Sequence, residues 1–206
     1  MAIIESLTRA MTARDRLTHE HAQRVQRYAI ALAREVAITD EHMLDAIDAA
    51  ALLHDVGKLG IPDSVLLKPG PLTADEYEQV KQHVVIGADI LSAVSFPGPL
   101  ASIVRHHHEN WDGSGYPDHL RGEEIPLGAR VLAIVDGYDA LTSNRPYRRE
   151  LPHDYAVSII REKRGIMYDP TIADAFLRIA SRLRTAPARP RVTAALVPWL
   201  RQASAL

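Results

Sequence analysis

Residues 44–60 read LDAIDAAALLHDVGKLG, and this stretch decides the kind of chain in hand. Leu44, Ile47 and Ala51 recur at intervals of three and four, the spacing of one helical face. His54 extends that row by three, and Asp55 follows it directly. Gly57 and Gly60 then end the helix. A histidine and a carboxylate at the apolar end of a helix are costly to bury alone, so the rest of the chain must bring them partners.

Working outward, the neighbouring segments also read as helices. Residues 3–13 form a first helix, and Val25, Tyr28, Leu32 and Val36 mark an amphipathic second one. The helix of the quoted stretch starts near Thr39. Residues 61–72 are a loop punctuated by Pro62, Pro69, Gly70 and Pro71. Thr73 followed by Glu76 is a capping box that opens a helix to about Val94. Pro97-Gly98-Pro99 interrupts the chain, a short helix runs through Ile103 and Val104 to His108, and a glycine-rich loop covers 110–124. Pro126 starts a helix to about Thr142, and Asp169-Pro170 starts another with Asp169 as its N-cap. Pro187 and Pro190 set off the end, so residues 1–186 read as one domain and 187–206 as a tail or weak helix. No internal repeat and no useful period-two strand is visible. The fold class is all-α.

Composition narrows the function classes. The 206 residues are 47% hydrophobic and 24% charged, enough for a real core in a single domain. Aromatics are only 5%, so the core must be Ala, Leu, Ile and Val, which favours close helix packing. The absence of cysteine excludes a disulfide scaffold, a zinc ribbon and thiolate catalysis. The apolar run from Val131 to Val135 is far too short to span a bilayer. Glu5 and Arg9 interrupt MAIIESLTRAM where a signal peptide is apolar, so the chain reads as cytoplasmic, without membrane insertion. A net charge of −2 offers no general field for DNA. Residues 161–206 hold nine Lys or Arg against three acids, which reads as a solvated helix surface.

Chemistry concentrates on the apolar faces. His21 lies four residues before Val25, His83 stands between Val80 and Gly87, and His107 and His108 follow Ile103 and Val104 by three to five. Asp136 follows Leu132 by four. Any one of these reads as a core residue bonded to a carbonyl. Five histidines and two aspartates from five helices are another matter, because burying them without a shared partner costs several kcal/mol each. A metal centre is the most economical partner. Imidazole and carboxylate suit Fe, Mn, Ni, Zn or Co. Five imidazoles, a terminal Asp136 and a bridging Asp55 fill about eight of the roughly twelve positions of two octahedral ions. A bridging hydroxide and substrate phosphate oxygens take the rest. Two dications against two carboxylates leave about +2, which attracts a phosphodiester and acidifies the bridging water.

The ordered set LLHDVGKLGIPDSVLLKPG, KQHVVIGADIL, HHENWDGSGYP, IPLGARVLAIVDGYDALTSNRPYR and YDP resembles the HD-GYP domain, a branch of the HD-domain metal-dependent phosphohydrolases. The resemblance runs from about Ile3 to Leu177. It implies an HD-domain helical bundle of the HD-GYP type within residues 1–186. The implied reaction opens cyclic di-GMP to pGpG and in some members continues to GMP. Two divalent ions, Fe or Mn foremost, are implied on His21, His54, Asp55, His83, His107, His108 and Asp136, with Asp55 as the bridge. Lys58 resembles the family lysine that neutralises the scissile phosphate or assists the leaving group. Asp139, one turn beyond Asp136, is read as holding the attacking water or a guanine edge. Arg145 and Arg148 are read as phosphate ligands. Gly113, Gly115 and Pro117 shape a loop near the substrate with Tyr116 at its tip, and the family links this loop to GGDEF domains. His19, His42, His106, His119 and His153 are left to surface or structural roles.

Two positions depart from the family pattern. Leu17 stands where some members carry a glutamate for a third metal, so the site is read as binuclear, with pGpG as main product. His119 stands where glycine usually follows the GYP motif, and without glycine's freedom at positive φ it is expected to reshape the loop. Two other readings stay open: a phosphodiesterase for another cyclic dinucleotide such as cyclic GMP-AMP, and a catalytically silent nucleotide sensor or interaction module. The sequence decides neither for nor against a homodimer.

Overall fold

In a computed structural model the chain is described over residues 2–14, 17–93, 95–144 and 149–183. These residues form ten α-helices: α1 (Ala2–Arg14), α2 (Leu17–Glu35), α3 (Glu41–Leu53), α4 (Asp63–Leu66), α5 (Ala74–Lys81), α6 (His83–Ser92), α7 (Leu100–His106), α8 (Leu127–Thr142), α9 (His153–Glu162) and α10 (Pro170–Leu183). Short 3₁₀ turns occupy Val56–Gly60 and Gly122–Glu124. Among the described residues there is no strand, only an isolated bridge between Arg164 and Tyr168. The all-α expectation holds.

Helix α3 is the pivot. Ala46, Ile47 and every residue from Ala49 to Leu53 are buried, and α2, α7 and α8 pack around it. Four alanines in this stretch keep its surface low, so three helices approach without large aromatics between them. Leu32, Ile103, Leu132 and Ile134 fill the spaces and are fully buried. Each such side chain contributes about 1.5–3 kcal/mol relative to exposure. Helix α10 closes the far side of α2, with Phe176 packed on Tyr138.

Local chemistry explains most boundaries. Asp40 caps α3 by accepting from His42 N at 3.0 Å. Thr73 and Glu76 form the expected reciprocal box at the start of α5. Asp169 caps α10, accepting from Thr171 N at 2.7 Å and Ile172 N at 3.3 Å. The single helix expected from Thr73 to Val94 is two, separated at Gln82. Helix α3 stops at Leu53, with His54 as its C-cap, before Gly57 is reached. Helices α4 and α9 were not anticipated, and both start after a proline that offers no side-chain cap. The tail 187–206, Arg145 and Arg148 lie outside the described residues. No helix among the described residues is long and apolar enough to cross a membrane.

Candidate metal centre

Three of the five histidines use one local device. His54 and His107 are the C-caps of α3 and α7, and His83 opens α6 directly after the break at Gln82. Each folds its ring back on the carbonyl three residues earlier. His54 Nδ1 donates to Ala51 O at 3.0 Å, His83 Nδ1 to Val80 O at 2.8 Å, and His107 Nδ1 to Val104 O at 2.6 Å. Last-turn carbonyls lack helical partners, so the ring N–H satisfies a group that needs a donor. Each Nε2 lone pair is then directed away from its own helix. His83 Nε2 and His107 Nε2 are buried and meet no hydrogen-bond partner.

The donor atoms gather in two adjoining groups. One atom each from His83, His107 and His108 lie within 4.8 Å of one another, and so do one each from His21, His54 and Asp55. Asp55 stands between the groups, with Oδ1 3.6 Å from His83 Nε2 and Oδ2 3.6 Å from His54 Nε2. Asp136 Oδ1 lies 3.3 Å from His21 Nε2 and 3.8 Å from His54 Nε2. The structure therefore brings together all seven residues read as ligands from the helical faces.

Charge is distributed unevenly across this centre. Burial pushes His83 below the usual imidazole value, His107 well below it and His108 down to about 4, so these three are neutral. Burial opposes the cation at His21 too, but hydrogen bonds to Asp136 and Asp139 outweigh it and raise the ring to about 9. Burial alone would raise Asp55, yet the Lys58 ammonium at 2.6 Å and the neighbouring imidazoles hold it well below the carboxylate range. Asp136 is lowered against its own burial by the hydrogen bond from His21.

Around the centre, the other predicted residues divide. Lys58, 35% exposed, sits at the rim on Asp55. Tyr116 lies against His108 with ring centroids 5.1 Å apart, and Lys81 stands over the same tyrosine at 5.4 Å and over Tyr77 at 4.9 Å. Gly115 is buried where a Cβ would collide with the backbone of Glu109 and Asn110, so the loop needs glycine there. The Tyr116–Pro117 peptide is cis. The loop is clasped by Arg105, bidentate to Asp118 at 2.7 Å on both arms, and by buried Glu109, which accepts from Asp118 N at 2.7 Å. His119 does not displace it: the residue itself adopts φ 55°, the conformation that glycine would have taken.

Asp139 is placed differently from the expectation. It is 1% exposed, and its oxygens accept from His21 Nδ1, Arg24 and Ser143, so protein donors already engage the carboxylate. Arg24 is not among the residues singled out from the sequence, and the one signal for it is its position one turn after His21, which places both on one face of α2. A cavity of about 370 Å³ opens beside the pair, lined among others by Tyr28, Tyr138, Ser143 and His153. Of the remaining histidines, His106 donates to Asp118 at 2.9 Å, His153 pairs with the Tyr138 hydroxyl at 2.8 Å, and His42 is exposed. The side chains of Leu17 and His19 lie outside the described residues.

Imidazole and carboxylate donors with two buried, unpartnered Nε2 atoms fit divalent transition ions, and two adjoining donor groups fit a pair of them. Comparison with known proteins gives the same direction. A family model described as HD domain matches residues 5–172. The cyclic di-GMP phosphodiesterase response regulator RpfG of Xanthomonas campestris is 43% identical over 92% of this chain and 52% of its own length. The 3′3′-cGAMP-specific phosphodiesterase 2 of Vibrio cholerae is 37% identical over 85% of this chain and 34% of its own length. Bd1817, an HDG"Y"P protein from Bdellovibrio bacteriovorus, shares the fold with a TM-score of 0.63 at 21% identity, over 80% of this chain and 52% of that one. The chain spans about half the length of the curated relatives it matches, 43% to 52% of the first three.

Proposed function

Because the chain belongs to the HD domain family, we propose that it is a metal-dependent phosphodiesterase of the HD-GYP kind that opens cyclic di-GMP to pGpG. The observation that carries this reading is Asp55, whose two oxygens face His83 on one side and His54 on the other. Such a carboxylate suits a shared ligand. His83, His107 and His108 would hold one divalent ion, and His21, His54 and Asp136 the other, with Fe or Mn as the preferred identity. When bound, the two ions supply positive charge against the phosphodiester and lower the pKa of water.

The chain's own residues do the remaining work. The burial that keeps His83, His107 and His108 neutral also keeps their lone pairs available at ordinary pH. Lys58, at the rim beside Asp55, neutralises the scissile phosphate or donates a proton to the departing oxygen. In the hydrolysis the oxygen of water joins phosphorus, the P–O3′ bond breaks, and the freed 3′ oxygen takes a proton. Tyr116, packed on His108, forms the wall on the loop side. Arg145 and Arg148 take phosphate oxygens, a role suited to the guanidinium fork.

The test is a product assay on protein prepared without oxygen and loaded with Fe(II) or Mn(II), supplied separately with cyclic di-GMP and 3′3′-cGAMP. The expected result is pGpG from cyclic di-GMP, with Asp55→Ala reduced at least ~10³-fold because removing the shared ligand forfeits several kcal/mol of transition-state stabilisation. Turnover confined to 3′3′-cGAMP would establish the second reading, which the 37% identical relative supports. Nucleotide binding without turnover, at measured metal occupancy, would establish a sensor.

A further inference from the structure

His21 differs from the other pinned histidines in what holds its far nitrogen. His54, His83 and His107 each rest on a carbonyl of their own segment. His21 Nδ1 instead meets Asp139 Oδ2 at 2.7 Å, across 118 residues of sequence. Asp139 is in turn fixed by Arg24, whose Nε donates to Oδ1 at 2.6 Å and whose Nη2 donates to Oδ2 at 3.0 Å. The same Nη2 donates to Ser143 Oγ at 2.9 Å, and that hydroxyl donates to Asp139 Oδ2 at 3.2 Å. We propose that Asp139, held by Arg24, is the positioning residue that makes His21 a ligand, and that its carboxylate acts through this imidazole rather than on the nucleotide.

The geometry supports the assignment at each step. A carboxylate only accepts, so its contact requires the proton on Nδ1 and leaves Nε2 to face Asp136 and His54. Asp136 and Asp139 are one turn apart on α8, so the His21 ring lies between two carboxylates, one at each nitrogen. Only one of them is buried to 1% exposure and surrounded by donors; the other has a side chain 17% exposed and faces the centre. Arg24 neutralises the buried one and aims both of its oxygens. Carboxylate partners behind metal-bound histidines typically change metal affinity by about 10–100-fold.

This inference rests on the binuclear reading, and the test separates the two. Mn(II) is titrated into the metal-free full chain against a competing chelator, bound metal is counted, and thermal unfolding is followed on the same samples. The wild-type chain is expected to hold two ions. Asp139→Asn keeps the volume but loses the charge and the pairing with Arg24. It is expected to weaken one of the two sites by about 10–100-fold and to leave the other unchanged. Arg24→Gln, at a half-buried position, is expected to weaken the same site to a smaller extent, and it serves if Asp139→Asn fails to fold. A wild-type chain that takes up no metal overturns the binuclear reading itself. Two ions in the wild type, with both affinities unchanged in the variants or both falling together with thermal stability, overturn the positioning role alone.

Discussion

The two donor groups of the centre take their support from different ranges of the chain. In the His83–His107–His108 group, two rings are pinned by carbonyls three residues away, and the third lies against Tyr116, eight residues on in sequence. In the His21–His54–Asp55 group, His21 is held by Asp139 and faces Asp136, so α2 and α8 must already be packed before that ring is aimed. Burial also depresses the imidazoles of the first group, whereas hydrogen bonds to carboxylates raise His21 in the second. Helix ends therefore set two rings of the first group, whereas the second joins one such ring, His54, to a ring aimed by helix packing, His21. Perturbing one contact at a time should affect the two ions unequally.

The largest effect is expected at Gly57, in the 3₁₀ turn after Asp55. A Cβ there would strike the His83 carbonyl and the Gly87 amide, both backbone of α6. Backbone cannot swing aside as a side chain does, so Gly57→Ala must push the whole helix outward and carry His83 with it. Overpacking of this kind costs about 1–3 kcal/mol or more. In a chain of this size that lowers the melting temperature by roughly 2–4 °C per kcal/mol. Metal counting should then show loss at the all-imidazole group with the other ion retained. Unchanged melting and two ions held as tightly as before would break the distinction drawn between the groups.

The same distinction governs what was legible in the sequence. His54 could be read because it continues the row Leu44, Ile47, Ala51, and His107 because it follows Ile103 and Val104. A helical face, however, gives direction only to within a turn. Asp136 and Asp139 share one face of α8, and nothing in their spacing tells which nitrogen of His21 each will meet. Spacing alone therefore cannot tell a substrate contact from a histidine partner at Asp139, and it gives no sign of Arg24, whose partner lies 115 residues away. Helix α9 escaped notice for a local reason: Pro152 starts it without a capping side chain. The loop at 110–124 was placed correctly, but its conformation depends on Arg105, Glu109 and Asp118 acting together.

A second contrast sharpens the electrostatic side. Asp55 and Asp48 are seven residues apart, yet Lys58 holds Asp55 well below the carboxylate range while burial pushes Asp48 up to about 6. A raised folded-state value means that Asp48 burdens the fold wherever it must be charged. That burden is absent below the unfolded value of 3.8, grows between there and about 6, and is constant above. Asp48→Asn should thus stabilise the protein at pH 7 by about 1–3 kcal/mol, with the gain vanishing near pH 4. Urea unfolding of both proteins across that range is the measurement. A gain independent of pH would show that the substitution acts through packing and that Asp48 titrates normally.

The smallest effect is expected at His119, and it decides whether the loop over His108 is shaped by this residue or in spite of it. His119 has φ 55°, where an L side chain is disfavoured by roughly 1–2 kcal/mol. Its side chain is exposed, so removing it forfeits no packing. Glycine recovers the conformational term but loses about 0.5–1 kcal/mol through greater freedom of the unfolded chain. His119→Gly should therefore gain up to about 1 kcal/mol, whereas His119→Ala keeps the φ penalty and gains nothing. The clasp of Arg105 and Glu109 on Asp118 is untouched in both variants, so Tyr116 stays on His108 and turnover per bound metal pair should equal that of the wild type. If His119→Gly instead altered turnover while leaving metal content and stability as they were, the loop would owe its shape to His119, and the backbone clasp would be the weaker constraint.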